Sequence, residues 1–512
     1  MHSQLQGRFK LPGGLVGEPF SSTNGILQGC PISVILLNIY IQTWLNLIGD
    51  QVPEAKSQSN ADDLLLTAQT VEVLDHAIKV TELYAQDTGM LLSPKKSCIW
   101  ATLPHLREEL WRLQIAGQCI PAVADCRYLG AFLGFDLAKH KSRLSHHLEA
   151  CKRICSRIQM TKLPMQLREL LVASLATPRA LHACCASAGS CKAQRSLRAA
   201  IARTIWGQAN TWRANEILFT MLSRGHLVDP PQIEAFQCMT TLKRVLTNMP
   251  DLVPVYQRVF NMRQAAQDEG RRQSANGPIA VLRRACSTAN VSVDVDNPLQ
   301  LWMLKEGDRL EVQAVSLLES DKQKFAHQVR TSLRMEQWDE LRYRGPRFLG
   351  GEETGFDANL STHLYRSNKL RGLDKYRLRC IMSGAVATQE RLAKKWPNSE
   401  TPWCKCCDGR TVETVEHLFL ECPAHHRART ADLLPQYFQA LPPCAKLHGI
   451  LPANWPIPHD MGTGRDAQLD LAYRLQYTLI GILESRESIA PSNYIPRWQA
   501  QRSHKRARRA EN

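Results

Sequence analysis

Asn24-Gly25-Ile26-Leu27-Gln28-Gly29-Cys30-Pro31-Ile32-Ser33 is a glycine-bearing turn that feeds an apolar stretch, and Ala61-Asp62-Asp63 follows downstream. Residues 19–49 carry no charge, and Val34-Ile35-Leu36-Leu37 opens what the pattern predicts to be a helix. Ser33, Asn38, Gln42, Thr43 and Asn46 dilute its hydropathy. A core helix, apolar nearly all round, is therefore expected rather than a membrane span, and no membrane partner is expected. Asp62-Asp63 runs into Leu64-Leu65-Leu66-Thr67-Ala68, which reads as a short strand. Taken alone, an Asp-Asp pair suits any turn.

Further along, Val73, Leu74, Ile78, Thr81, Leu83 and Tyr84 belong to an amphipathic helix from about 71 to 88, with Gly89 placed to cap it. Met90-Leu91-Leu92, a Ser93-Pro94-Lys95-Lys96 turn and Cys98-Ile99-Trp100-Ala101 follow. Tyr128-Leu129-Gly130-Ala131-Phe132-Leu133-Gly134 reads as one more hairpin.

In order and spacing these segments resemble the palm motifs of reverse transcriptases, specifically those of non-LTR retrotransposons. The resemblance implies Asp62 as a magnesium ligand with Asp63 as its weaker companion, the two forming the catalytic pair. It implies Gln28 and Gly29 against the incoming nucleotide and the templating base, and Lys96 beside the triphosphate. Tyr128, Leu129 and Gly130 would grip the primer end. RNA template, DNA primer or target, and dNTPs are the implied partners. Two departures stand out. Asn60 occupies a position that the family usually gives to an aromatic residue. No aspartate occurs before Asp50, with Glu18 the only acid ahead of it, so the family's other metal-binding aspartate is expected to be missing and this chain by itself inactive.

From Lys139 the pattern turns helical. Leu144, Leu148, Cys151, Cys155 and Ile158 form one apolar seam, with Lys152, Arg153 and Arg157 beside or opposite it. Between Lys139 and Arg203 there are 13 basic residues against Glu149 and Glu169. A solvated basic face is the plain reading. Its place after a palm, where the family has a helical thumb, makes Lys139, Lys141, Arg143, Lys152, Arg153 and Arg157 candidates for phosphate contact. Residues 207–345 read as helix-rich and carry no interpretable motif.

Cys404-Lys405-Cys406-Cys407, His417 and Cys422 make the second constellation. Cys404, Cys407, His417 and Cys422 form C-x2-C-x9-H-x4-C, four soft or borderline donors at zinc-knuckle spacing. Four protein ligands would close a tetrahedron, making the Zn2+ structural. Cys406 could replace Cys404 or Cys407, His425 or His426 could replace His417, and a chance cluster of buried thiols is the alternative. The segment resembles the zinc-binding region downstream of retrotransposon reverse transcriptases. No endonuclease or RNase H pattern is found among Asp460, Asp466 and Asp470.

Bulk properties agree with a nucleic-acid partner. Lys+Arg number 64 against 48 Asp+Glu, a net charge of +16 with pI ≈ 9.2 and mean hydropathy −0.29. The 17 cysteines are scattered, and His2, Gln4 and Gln6 interrupt any signal-like run, so free thiols in a reducing compartment are expected. The tail Arg502-Ser503-His504-Lys505-Arg506-Ala507-Arg508-Arg509 reads as a nuclear-import or nucleic-acid-binding segment. The expected fold is α+β and helix-rich. It comprises a partial palm with a small antiparallel sheet (1–137), a basic helical thumb (138–250), a helical connector and linker (251–350), a helical region with a CCHC zinc knuckle (351–430), and a C-terminal helix with a basic tail (431–512). A nucleic-acid-binding protein without catalysis is the rival reading.

Overall fold

The computed structural model describes residues 31–490 apart from 102, 124, 135–136, 187–190, 208–211, 271–276, 305–311, 345–355, 454–461 and 463; of the first thirty it describes 6–8, 14 and 16–21. The chain divides into two compact units, Met1–His140 and Lys141–Asn512.

In the first unit two helices carry most of the packing. Pro31–Gln51 buries Ile41, Trp44 and Ile48, spaced at three and four residues on one side. These meet Ala77, Val80 and Tyr84 of the helix Val71–Asp87. Two hydrogen bonds fix the crossing: the Trp44 indole donates to the Thr81 hydroxyl at 3.0 Å, and the Tyr84 hydroxyl donates to the Tyr40 carbonyl at 2.5 Å. Thr70 caps Val71–Asp87 by accepting from the Val73 amide at 3.3 Å, and Gly89 follows with φ 67. The opposite side of the same helix buries Val71 and Ile78 against Ile99, Leu110, Leu113 and Ile120.

The expectation of a helix buried all round needs correction. Apart from Ser33, the buried side chains of Pro31–Gln51 lie in its second half, whereas Ile32, Val34, Ile35, Ile39 and Tyr40 are exposed. By length and composition Ile32–Gln51 is apolar enough to cross a membrane. Low charge in a sequence reports a helix's composition; which flank finds a partner is set by tertiary packing.

Strands Lys56–Asn60 and Asp63–Thr67 pair antiparallel from Lys56↔Thr67 to Asn60↔Asp63, leaving Ala61 and Asp62 as the turn. Leu64 and Leu66 lean on the helical core. Asp125–Tyr128 pairs with Ala131–Gly134, and Leu129 and Gly130, both at positive φ, make the two-residue turn such hairpins favour.

The second unit is helical around one large apolar core. Cys151, Ile201, Phe219, Leu364, Phe419, Leu447 and Leu479 all belong to it, so segments far apart in sequence share a single interior. A smaller core gathers Met239, Phe260, Val281, Leu301 and Phe325. Within it lies a three-stranded antiparallel sheet with Gln300–Leu304 at its centre, flanked by Val312–Ser316 and Ser292–Val293. This sheet interrupts a region whose sequence reads as helix-rich.

Candidate metal centres

The Asp62-Asp63 pair sits at the tip of the Lys56–Asn60/Asp63–Thr67 hairpin, and both aspartates are exposed. Ala61 adopts φ 55, a left-handed conformation that favours glycine, so the turn is held at some cost by the paired strands. Tyr128 lies close enough to feel the charge of Asp63. Burial raises its phenol above the usual range, and the carboxylate of Asp63 raises it further. The acidic hairpin and the Tyr128 hairpin are thus neighbours in space. Lys96 ends an exposed turn, its amide donating to the Ser93 carbonyl at 3.1 Å. Gln28 and Gly29 lie outside the described residues. Among the described residues no third carboxylate, thiol or imidazole joins Asp62 and Asp63 in a ligand cluster. Two carboxylates on one turn fit part of a two-ion magnesium site, which draws its ligands from more than one strand.

On the helix Leu137–Met160, Leu148, Cys151, Cys155 and Ile158 face the core. Lys152 is half-buried and pairs with Glu149, while Arg153 and Arg157 are exposed. The side chains of Lys139, Lys141 and Arg143 lie outside the described residues, as does the basic tail.

The second centre is built on a hairpin and a helical turn. Trp403 and Val412 form an antiparallel bridge, and the Cys404 amide donates to the Thr411 carbonyl at 2.8 Å. Between them the chain turns at Gly409, φ 67. The Asp408 carboxylate accepts from the Arg410 and Thr411 amides at 3.0 and 3.1 Å, which with its Cys407 contact pulls it down to about 2. This turn presents Cys404 and Cys407 on one side. The turn His417–Glu421 opens with the His417 amide donating to the Thr414 hydroxyl at 3.0 Å, and it returns His417 and Cys422.

The ligand atoms of Cys404, Cys407, His417 and Cys422 all lie within 4.8 Å of one another. Cys404 Sγ is 3.8 Å from Cys422 Sγ, and Cys407 Sγ is 3.5 Å from His417 Nε2. A disulfide needs a sulfur–sulfur distance of about 2.05 Å, so these are free thiols. A tetrahedron with Zn–S of about 2.3 Å and Zn–N of about 2.0–2.1 Å has S···S edges of about 3.8 Å and S···N edges of about 3.6 Å. The donor set and its spacing therefore fit zinc.

Three alternatives separate on geometry. Cys406 clusters with Cys404 and Glu413 instead. Glu413 is already engaged, accepting from Arg486 Nε and Nη2 at 3.1 and 2.8 Å and from the Gln389 amide at 2.9 Å. His425 turns Nδ1 to the Ser485 hydroxyl at 3.0 Å, and His426 is exposed. Around the four donors, the Cys406 amide donates to Cys404 Sγ at 3.4 Å and Arg429 donates to the Cys422 carbonyl at 2.6 Å. Burial pushes the Cys422 thiol up to about 12, and the Cys404 charge adds to this. A bound dication would supply the opposite charge and favour thiolates. The supporting groups Glu413, Arg486, Gln389 and Arg429 are invisible to a motif search, because no fixed spacing links them to the cysteines.

Comparison with known families gives one match. Residues 6–133, about a quarter of the chain, match the family described as reverse transcriptase (RNA-dependent DNA polymerase). The matched stretch spans Gln28, Gly29, Asp62, Asp63, Lys96 and Tyr128. No curated protein matches the chain.

Proposed function

We propose that this chain handles a template–primer duplex as a non-LTR retrotransposon-type reverse transcriptase. The single observation that supports this reading best is the Asp62-Asp63 hairpin tip beside the Tyr128 hairpin, inside the stretch that matches the reverse transcriptase family. In this reading Asp62 and Asp63 would hold Mg2+, which when bound supplies the positive charge that phosphoryl transfer needs. Tyr128, Leu129 and Gly130 position the primer end. Gln28, Gly29 and Lys96 meet the nucleotide. Exposed Arg153 and Arg157, with Lys139, Lys141, Arg143 and Lys152, track the duplex phosphates.

The acidic tip offers two carboxylates from one turn, and nucleotide addition needs a further carboxylate facing it. The 512-residue polypeptide accordingly binds primer–template without extending it. Cys404, Cys407, His417 and Cys422 hold one structural Zn2+ that braces the helical unit, and the basic tail directs the protein to the nucleus. Primer extension with magnesium and dNTPs tests the catalytic part. No product is expected, and extension abolished by Asp62→Ala would overturn the inactive-chain reading while strengthening the polymerase assignment.

A further inference from the structure

Buried arginines in the helical unit fall into two classes. Arg377 and Arg486 each meet a carboxylate, Glu487 at 2.6 Å and Glu413 at 2.8 Å, as does half-buried Arg198 with Asp229 at 2.8 Å. Arg168 and Arg379 are as deeply buried, 7% and 9% exposed, yet neither faces a carboxylate among the described residues. Glu169, next to Arg168 in sequence, accepts from Arg224, and Glu487 accepts from Arg377.

What the two arginines do touch is neutral. Arg168 Nη2 donates to the Trp206 carbonyl at 3.3 Å, and Arg379 Nη1 meets Met165 Sδ at 3.3 Å. The Arg379 guanidinium lies 4.4 Å from the Trp206 ring centre, and Arg213 lies 5.7 Å from the same ring. Arg168 Nε, Arg379 Nε and Trp206 Nε1 are buried without a hydrogen-bond partner. Gly207, at φ 88, is what admits the Arg168 head, since a Cβ there would lie 1.7 Å from its Nη1. The guanidinia also feel one another. Burial, then the charge of Arg379, lowers Arg168 to about 10; burial, then Arg203 and Arg379, does the same to Arg213. Arg168 and Arg379 are like charges in a low-dielectric site with no carboxylate against either among the described residues, which is unfavourable, and a built-in space for one guanidinium shows that the arrangement is sterically accommodated.

We propose that Arg168 and Arg379, with Arg213 beside them and exposed Arg203 at the rim, form a binding site for a phosphoryl anion. Planar guanidinium forks match the oxygens of a tetrahedral oxoanion, and more than one guanidinium favours a doubly charged group over a carboxylate. The anion would be either a free phosphate or a phosphate of a nucleic acid. The inference does not rest on the polymerase reading, because all of these residues belong to the Lys141–Asn512 unit.

Thermal melting of the full chain tests it, in sodium phosphate against sodium chloride at matched ionic strength. Saturating phosphate should raise Tm by on the order of 2–4 °C beyond chloride. Arg168→Met and Arg379→Met should each abolish that increment, and without phosphate each should melt no lower than the wild type. An equal rise in chloride, or an increment kept by both variants, would overturn the proposal. Should a variant not fold, calorimetric titration of the wild type with inorganic phosphate decides, and absence of saturable heat rejects the site. A short oligonucleotide with and without a 5′-phosphate separates the sources. Displacement of phosphate by both oligonucleotides assigns internal phosphodiesters, by the phosphorylated one alone a strand end, and by neither a free anion.

Discussion

Arg486, near the end of the helix Arg465–Ile489, reaches the Glu413 carboxylate at 2.8 Å with both residues buried, 3% and 0% exposed. Glu413 also accepts from the Gln389 amide, so one carboxylate ties three segments together beside the thiol cluster. Arg486→Met leaves a buried charge without its partner and should destabilise the unit by about 3–5 kcal/mol. The double change with Glu413→Gln should recover much of that loss. Denaturant unfolding of the four proteins checks it, and a fully additive double variant would contradict the pairing.

Removal of the cluster's metal should act on folding rather than on a reaction. The purified chain is expected to carry close to one zinc, lost in Cys407→Ser, with a chelator lowering the melting temperature of the wild type alone. Cys406→Ser should retain the metal, because Cys406 falls outside the four-donor set. Metal analysis with melting curves measures both, and zinc-free protein of unchanged stability would remove the centre.

Parts of this architecture were legible in the sequence for definite physical reasons. The Val71–Asp87 helix announces itself by its apolar period and the Gly89 that follows it, and Cys404 to Cys422 by chelate spacing. The strands Gln300–Leu304 and Val312–Ser316 hide because Leu301, Met303 and Val315 are apolar residues that a helix would bury equally well. The exposed start of Pro31–Gln51, the Glu413–Arg486 tie and the neutral contacts of Arg168 and Arg379 are long-range facts. Periodicity gives a residue's face and never its partner.

In the first unit, the Trp44 indole depends on the Thr81 hydroxyl, itself donating to the Ala77 carbonyl at 2.7 Å. Thr81→Val keeps the shape but strands a buried N–H, at a cost of about 1–3 kcal/mol. Denaturant unfolding followed by circular dichroism reads it, and Thr81→Ser should lose less. Equal losses for the two variants would assign the effect to packing.

Stability should fall in mild acid. Burial lowers His226 to about 4, with the charges of Arg330 and Arg224 adding to the effect, and burial lowers His448 to about 4. Unfolded histidines take up protons near pH 6.5 while the folded ones stay neutral, so stability is fully present above that value. It should decline as pH drops from 6.5 toward 4. His226→Phe should flatten the profile between pH 7 and 5, and an unchanged slope would contradict the assignment.

Binding of a fluorescent RNA–DNA primer–template across a salt series tests the central claim most directly. The account predicts tight binding at low salt, a steep linear fall of log affinity with log salt, and a slope reduced by about two in the Arg153→Gln/Arg157→Gln double variant. Absence of binding at low salt, or a slope that the double variant leaves untouched, would contradict it.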